Sequence, residues 1–554
     1  MLSLESSQKS RLLMTAVLWA VLSPWALPVF SQTATFTLKD STGLGDEHVI
    51  YVLGYSATPG YYLESDGTWV ALPQTNGQIP CYTLGTGSNQ ISQIIIDSSQ
   101  STLSARVYFF VDDQGTYGQC NNGTALADSG KQNGIFGTNL FSYTYNSNLN
   151  AFGVVGITQA NIGMPGTGPP VYAFSEIGPG PQYGTIDVSQ VDLYSFPMTI
   201  TATVIPGTPP TIGNSSTVSF TDNSAYGAYM NNLAGPGGCT NNSDAAACAY
   251  LDLASPYEAY SILLNPGGFL ASNTTAAKKS KLNSAFDSVI AKLWATGAPA
   301  ITLNNGGPQG QARQEDFVGT VVSMAYPCNG SGTGCPAINA LQFVGTTTGY
   351  VAYVFSPSGY ADWCANNPNC PPGSISSSGN QVFSGSGVFA TTAGSEYTNL
   401  TAQNLLPSVT TQYGQGTYES QVARLGLILT QAMNHGASLM NCPSGTPTWQ
   451  CWNLETSWYP TATSTIYPDI TQNLYAQFVH TATNTNGIPF FVKPPIPAIS
   501  AGGIAMGMAY GFSNDEDPTP AVQGTQNPEV PSKMDGTVVY CGSGAYTITL
   551  GPWQ

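Results

Sequence analysis

The chain carries 30 Asp and Glu against 13 Lys and Arg and only three histidines, so its capacity for proton chemistry rests on carboxylates. Two of them have informative neighbours. Glu176 closes the run Val171-Tyr172-Ala173-Phe174-Ser175-Glu176-Ile177, and Asp192 lies within Ile186-Asp187-Val188-Ser189-Gln190-Val191-Asp192-Leu193-Tyr194-Ser195-Phe196. Side chains alternate along a strand, so Glu176 shares a face with Tyr172 and Phe174, and Asp192 shares one with Gln190, Tyr194 and Phe196. Aromatic surroundings raise the pKa of a carboxylic acid and stack on the faces of sugars. Two carboxyl groups, one protonated and one ionised, are the apparatus that cuts glycosidic bonds. Alternation alone is met equally by strand-end carboxylates that close turns or cap helices, and on spacing alone that plainer role is favoured.

Other chemistries find less support. His48, His435 and His480 stand apart from one another and from cysteine at metal-ligand spacing, so no metal site is expected. No G-x-S-x-G elbow stands on a strand-to-helix turn, which leaves a serine triad without its nucleophile. No G-x-x-x-x-G-K-[ST] loop is present for nucleotide phosphates, and no cofactor is expected.

To bring Glu176 and Asp192 together, the two runs must form neighbouring antiparallel strands joined by the Gly-Pro-rich connection between them. The surrounding sequence suits this. From Thr33 to about Val204 short β-branched runs such as Ala34–Leu38, His48–Leu53 and Ala105–Phe110 are separated by Gly, Pro and Asn. Ile205-Pro206-Gly207-Thr208-Pro209-Pro210 then breaks the pattern and marks a domain boundary. Beyond it, apolar residues at helical spacing predict helices over Lys279 to Trp294, Glu419 to Met433 and Gln472 to Thr483, before strand-like runs return near the C-terminus.

Residues 1–31 read as a signal peptide: Lys9 and Arg11, an apolar stretch from Leu12 to Phe30, then Ser31-Gln32-Thr33 near a plausible cut. Its removal takes away Glu5, Lys9 and Arg11 and moves the formal charge from −17 to −18. An exported protein of this charge is a poor partner for nucleic acid or anionic membranes, and stable membrane insertion after cleavage is not expected. Only 8% of residues are charged, against about 25% in ordinary domains, while neutral polar residues abound. Such surfaces suit neutral polymers. The eleven cysteines fall mostly in close pairs, 239 with 248, 328 with 335, 364 with 370 and 442 with 451, as expected of local disulfides formed after export. Cys81 and Cys120 are available for a fifth bridge, which leaves Cys541 over; sequence alone does not fix the connectivity.

The run F-S-E-I at 174–177 followed by S-Q-V-D-L-Y-S-F-P-M-T at 189–199 resembles the catalytic segment of glycoside hydrolase family sixty-four, the thaumatin-like β-1,3-glucanases of the laminaripentaose-producing type. The opening T-F-T-L-K-D, H-V-I-Y-V-L-G-Y and D-G-T-W, the later N-L-Y-A-Q-F-V-H at 473–480, and the closing A-Y-G-F-S-N-D-E-D, M-D-G-T and Y-T-I-T-L-G-P-W are similar to that family's segments, so the resemblance runs along most of the chain. It implies a mainly β protein with an α/β part: a thaumatin-like β-barrel or sandwich packed on a mixed α/β domain, with a wide cleft between. The implied division is a β domain over 32–205 that carries the catalytic carboxylates and receives strands from 505–554, and a mixed α/β domain over 206–504 with disulfide-tied insertions. The implied activity is an inverting, metal-independent endo-hydrolysis of β-1,3-glucan by a secreted monomer, with Glu176 the general acid and Asp192 the general base. Tyr183, Ser189, Gln190 and Tyr194 are the candidate sugar contacts. The connection Ile177-Gly178-Pro179-Gly180-Pro181-Gln182-Tyr183-Gly184 departs from the family in lacking the Thr, Asn and Trp usual there, with Tyr183 the available stacking ring. A glucan-binding protein without catalysis is the alternative that this departure leaves open.

Overall fold

A computed structural model describes residues 33–44, 49–56, 60–97, 103, 105–112, 142–149, 151–155, 171–178, 184–187, 193–194, 198–203, 216–220, 227, 229–230, 245–253, 263–271, 276–304, 315–324, 337–360, 377–385, 387–389, 415–452, 458–460, 463–469, 471–481, 491–492, 537–540 and 545–551. The described chain is mainly β with few helices.

The first sheet has six strands in the order Phe491–Val492, Ser216–Phe220, Met198–Thr203, Ala545–Leu550, Thr33–Asp40, Gln93–Asp97. Ala545–Leu550, from the far end of the chain, runs parallel to Thr33–Asp40 and antiparallel to Met198–Thr203. Period-two patterning decides what each strand buries. Ala34, Phe36 and Leu38 turn inward while the intervening threonines do not, and Phe36 stacks on Tyr546 with ring centroids 4.7 Å apart.

The second sheet runs Thr537–Tyr540, Gly184–Asp187, Val171–Gly178, Ala105–Asp112, Val49–Ser56, Tyr61–Leu63, Trp69–Ala71, with Tyr82–Leu84 also paired to Val49–Ser56. Ala105–Asp112 lies inside it and is buried on both faces, by Val107 and Phe109 on one side and Tyr108 and Phe110 on the other. That is why its sequence reads as a continuous apolar run.

A four-stranded antiparallel meander, Ile301–Asn304, Asp316–Met324, Ile338–Gly345 and Val351–Phe355, forms a third sheet, against which helices Gln415–Asn434 and Thr448–Trp452 pack. Gln415–Asn434 contains the predicted 419–433 helix and buries Val422, Leu425, Ile428 and Leu429. The segment predicted as one helix over 279–294 is two, Ala276–Asn283 and Asp287–Leu293. Ser284 breaks it: its hydroxyl donates back to the carbonyls of Ser280 and Lys281, and the Ala285 amide bonds to Leu282. The apolar spacing runs through the break, since Leu282, Phe286, Val289, Ile290 and Leu293 are all buried. Helix Leu474–Thr481 is shorter than its predicted 472–483, because the Asn473 side chain caps it by accepting from the Tyr475 and Ala476 amides. Helix Ser378–Ser384 crosses Ala276–Asn283 so closely that a Cβ on Gly379 would meet the Leu282 carbonyl at 2.1 Å, which explains a glycine inside a helix.

Cys442 and Cys451 form a disulfide, and Cys81 and Cys248 are each disulfide-bonded. Cys120, Cys239, Cys541 and the pairs 328 with 335 and 364 with 370 lie outside the described residues, as do 1–31. Among the described residues no helix is long and apolar enough to cross a membrane.

Candidate active site

Glu176 belongs to strand Val171–Gly178, whose antiparallel neighbour Ala105–Asp112 places Arg106 directly opposite it, Tyr108 opposite Phe174 and Phe110 opposite Tyr172. The next strand, Val49–Ser56, extends these rows with Tyr55 opposite Arg106 and Leu53 opposite Tyr108. Phe174 and Tyr108 are buried and stack at 5.2 Å, and Tyr108 further contacts Phe110 at 6.0 Å and Tyr55 at 6.1 Å. The half-buried Arg106 holds its guanidinium carbon 5.1 Å from the centroid of the Phe174 ring, a cation–π distance. Glu176 thus occupies the row next to a stack of aromatic rings, with a cation across the ladder.

On its other side Val171–Gly178 pairs with Gly184–Asp187 through Ile177 opposite Ile186 and Gly178 opposite Thr185. The two strands around the Gly-Pro-rich connection are therefore antiparallel neighbours, as the sequence predicts. Continuing the register by one residue brings Asp187 abreast of Glu176, and Asp187 is itself opposite Thr537 on its far side. The second strand does not continue in this sheet to Tyr194. Leu193–Tyr194 pairs instead with Leu263–Leu264, and Tyr194 is fully buried, its ring edge-on to Phe478 at 5.8 Å. The core thereby anchors the chain two residues beyond Asp192. Asp192, Tyr183, Ser189 and Gln190 lie outside the described residues.

Three carboxylates within the described fold have structural partners. Glu315 accepts from the amides of Thr347 and Thr348 and from the Thr348 hydroxyl, closing a hairpin turn. Asp316 accepts from Asn304 at 2.7 Å and from the Trp449 indole at 3.1 Å. Glu64 accepts from the Tyr62 and Tyr82 hydroxyls at 2.7 and 2.5 Å. Burial, reinforced by that carboxylate, pushes the Tyr62 phenol up to about 12 and Tyr82 upward still further. His435 is buried and stacks on Trp458 at 3.8 Å, the packing role of a core imidazole. Among the described residues no three His, Cys, Asp or Glu side chains gather as metal ligands would.

Sequence reasoning singles out neither Arg106 nor Asp187. Register supplies both. One local signal was available: Arg106 is a charged residue near the start of Ala-Arg-Val-Tyr-Phe-Phe-Val, and a charge on a strand otherwise built for the interior needs a partner.

No protein-family model matches the chain, and no curated protein matches it. Solved structures similar to it include a laminaripentaose-producing β-1,3-glucanase in complex with laminaritetraose, at 14% identity and a TM-score of 0.49, covering 94% of this chain and 99% of that one. A β-1,3-glucanase domain of glycoside hydrolase family 64 from Clostridium beijerinckii is similar at 14% identity and a TM-score of 0.48, covering 94% and 98%. The family 64 laminaripentaose-producing enzyme from Paenibacillus barengoltzii is similar at 11% identity and a TM-score of 0.36, covering 94% of this chain and 75% of that one.

Proposed function

We propose that the protein is a secreted endo-β-1,3-glucanase of the family 64 type, with the catalytic carboxylates Glu176 and Asp192, acting as a monomer without cofactor on laminarin, curdlan and fungal wall glucan. The observation that carries the reading is the position of the F-S-E-I segment: Glu176 stands on a sheet strand beside the stacked rings of Phe174 and Tyr108, while Glu64, Glu315 and Asp316 are committed to structural bonds. The reading includes the thaumatin-like β domain, its cleft against the mixed α/β part, and export after cleavage near Ser31.

In the proposed reaction Glu176 protonates the glycosidic oxygen as the bond to the anomeric carbon breaks. Asp192 takes a proton from a water that attacks the same carbon from the opposite face, so the configuration inverts. Room for that water calls for carboxyl groups about 6.5–9.5 Å apart. Tyr183, Ser189 and Gln190 contact the sugars, and the buried Tyr194 fixes the segment that carries Asp192.

The test is release of reducing ends from laminarin and curdlan by the mature protein beside Glu176→Gln and Asp192→Asn. Both folded variants are expected to lose about 10²–10⁴-fold in rate. Retained glucan binding with no release by the wild type would instead support the non-catalytic glucan-binding reading, which the altered connection after Glu176 leaves open.

A further inference from the structure

Residues directly opposite one another in an antiparallel ladder share a face, so the register of the second sheet lays its side chains out in rows. One row runs from Val70 through Tyr62 and Tyr55 to Arg106, and its next register position is that of Glu176. Val70 is 39% exposed, and Tyr62, Tyr55 and Arg106 are each partly exposed. The neighbouring row on the same face, Leu53, Tyr108 and Phe174, is buried. The face that serves the core one row away therefore comes to the surface along Tyr62, Tyr55 and Arg106.

The side chains of this row are held by what lies beneath and beside them. The Tyr55 ring is parallel to Tyr108 within 7° at 6.1 Å, and the Arg106 guanidinium carbon is 5.1 Å from the centroid of the Phe174 ring. The Tyr62 hydroxyl donates to Glu64 Oε1 at 2.7 Å, while the Tyr82 hydroxyl donates to Oε2 at 2.5 Å. Side chains ordered on folding cost little further entropy when a ligand arrives. The two charges of the strip, Arg106 and Glu64, cancel, which suits an uncharged polymer better than an anionic one. Phenol rings stack on the faces of sugars, and a guanidinium donates to their hydroxyl groups. Neighbouring strands are about 4.7–4.9 Å apart, so the three spacings from the strand of Glu176 to that of Tyr62 span about 14 Å. A chain lying across the strands would pass Arg106, Tyr55 and Tyr62 in that order.

We propose that Arg106, Tyr55 and Tyr62 form a strip that binds the glucan chain on one side of the point of cleavage, leading from the strand of Glu176 across the sheet toward Trp69–Ala71. The inference rests on the reading of the protein as a β-1,3-glucanase with its acid on that strand. Glu64 is the positioning residue of the strip, since it fixes the Tyr62 hydroxyl.

The experiment is calorimetric titration of laminarin into the mature Glu176→Gln protein and into the same protein carrying Tyr55→Ala, Tyr62→Ala or Tyr62→Phe, with folding checked by circular dichroism. Each alanine substitution is expected to raise the Kd for laminarin about three- to tenfold. Tyr62→Phe keeps the ring and loses only the hydroxyl, so its Kd should stay within about twofold of the parent. In the otherwise wild-type enzyme the alanine substitutions should raise KM with little change in kcat, the mark of binding shared by ground and transition states. Residues that serve only to hold the fold would lower the melting temperature and leave the Kd of the folded protein unmoved. An unchanged Kd in folded Tyr55→Ala and Tyr62→Ala, in a parent that does bind laminarin, overturns the strip and leaves the proposed function standing. Should Tyr62→Ala fail to fold, Tyr55→Ala decides the matter alone. If the wild type releases no reducing ends and Glu176→Gln binds no laminarin, the proposed function is refuted and the strip with it.

Discussion

Asn473 ties three helices together at a point where a single substitution has a calculable cost. It and Asn434 are fully buried. Asn473 Nδ2 donates to Asn434 Oδ1 at 3.0 Å, its backbone amide donates to the Asn434 carbonyl at 2.9 Å, and its Oδ1 caps helix Leu474–Thr481. Asn434 Nδ2 in turn donates to the carbonyls of Thr430 at 2.9 Å and Val382 at 3.2 Å, so one amide pair joins three helices. Asn473→Ala removes the cap, costing about 1 kcal/mol. It also leaves Asn434 Oδ1 buried without its donor, costing about 1–3 kcal/mol more. The expected total of about 2–4 kcal/mol combines these two losses. A chain of this size need not unfold in one step, so the sound readout is local: hydrogen exchange of the Tyr475 and Ala476 amides. At 1.4 kcal/mol per factor of ten, their protection should fall roughly thirty- to several-hundred-fold. Asn473→Asp keeps the cap but sets a carboxylate against Asn434 Oδ1, so it should recover only the capping part. Protection within about threefold of wild type in the alanine variant, a difference under about 0.7 kcal/mol, would refute the reasoning.

Three further outcomes can be checked. Burial works to raise the pKa of Asp469, but the Lys292 ammonium at 2.6 Å and the bonds from Thr471 outweigh it and hold the carboxyl group below its usual range. A depressed folded pKa gives stability above the unfolded value of about 3.9 that is lost as pH falls through the folded one. Asp469→Asn should therefore lower the stability at neutral pH, by no more than about 1 kcal/mol given the exposure of Lys292, with a correspondingly lower melting temperature, and match wild type in strong acid; a gap that persists there speaks against the pair. Glu64→Gln should bring the Tyr62 phenol down from about 12 in an ultraviolet alkaline titration. Because that pKa is raised, the contact's stability is complete below the unfolded value near 10 and lost as pH rises through the folded one, and an unchanged titration would contradict the assignment. Replacing Cys442 and Cys451 by serine opens a loop of sequence separation 9 and should cost about 2–3 kcal/mol, with an identical thermal melt the contrary result.

What could be read from the sequence, and what could not, divides along the range of the interactions. Period and residue type are local, and they located the strand that became Thr33–Asp40, the strand of Glu176 and the helix within Gln415–Asn434. Pairing is not local. Nothing in Tyr-Thr-Ile-Thr-Leu says that it lies parallel to Thr33–Asp40, and nothing in Leu193-Tyr194 says that its partner is Leu263-Leu264. The helix break at Ser284 escaped for the converse reason: the apolar spacing is a record of burial, and burial continues across a turn that one hydroxyl creates. The site follows the same division. The motif around Glu176 is contiguous, and the strand that carries it was legible, whereas Arg106 and Asp187 come into neighbouring positions only through the ladder on either side. Their charges could nonetheless have prompted the question, since a guanidinium on a strand buried on both faces must be answered by an anion, an aromatic ring or water. Phe174 is one answer that the structure supplies.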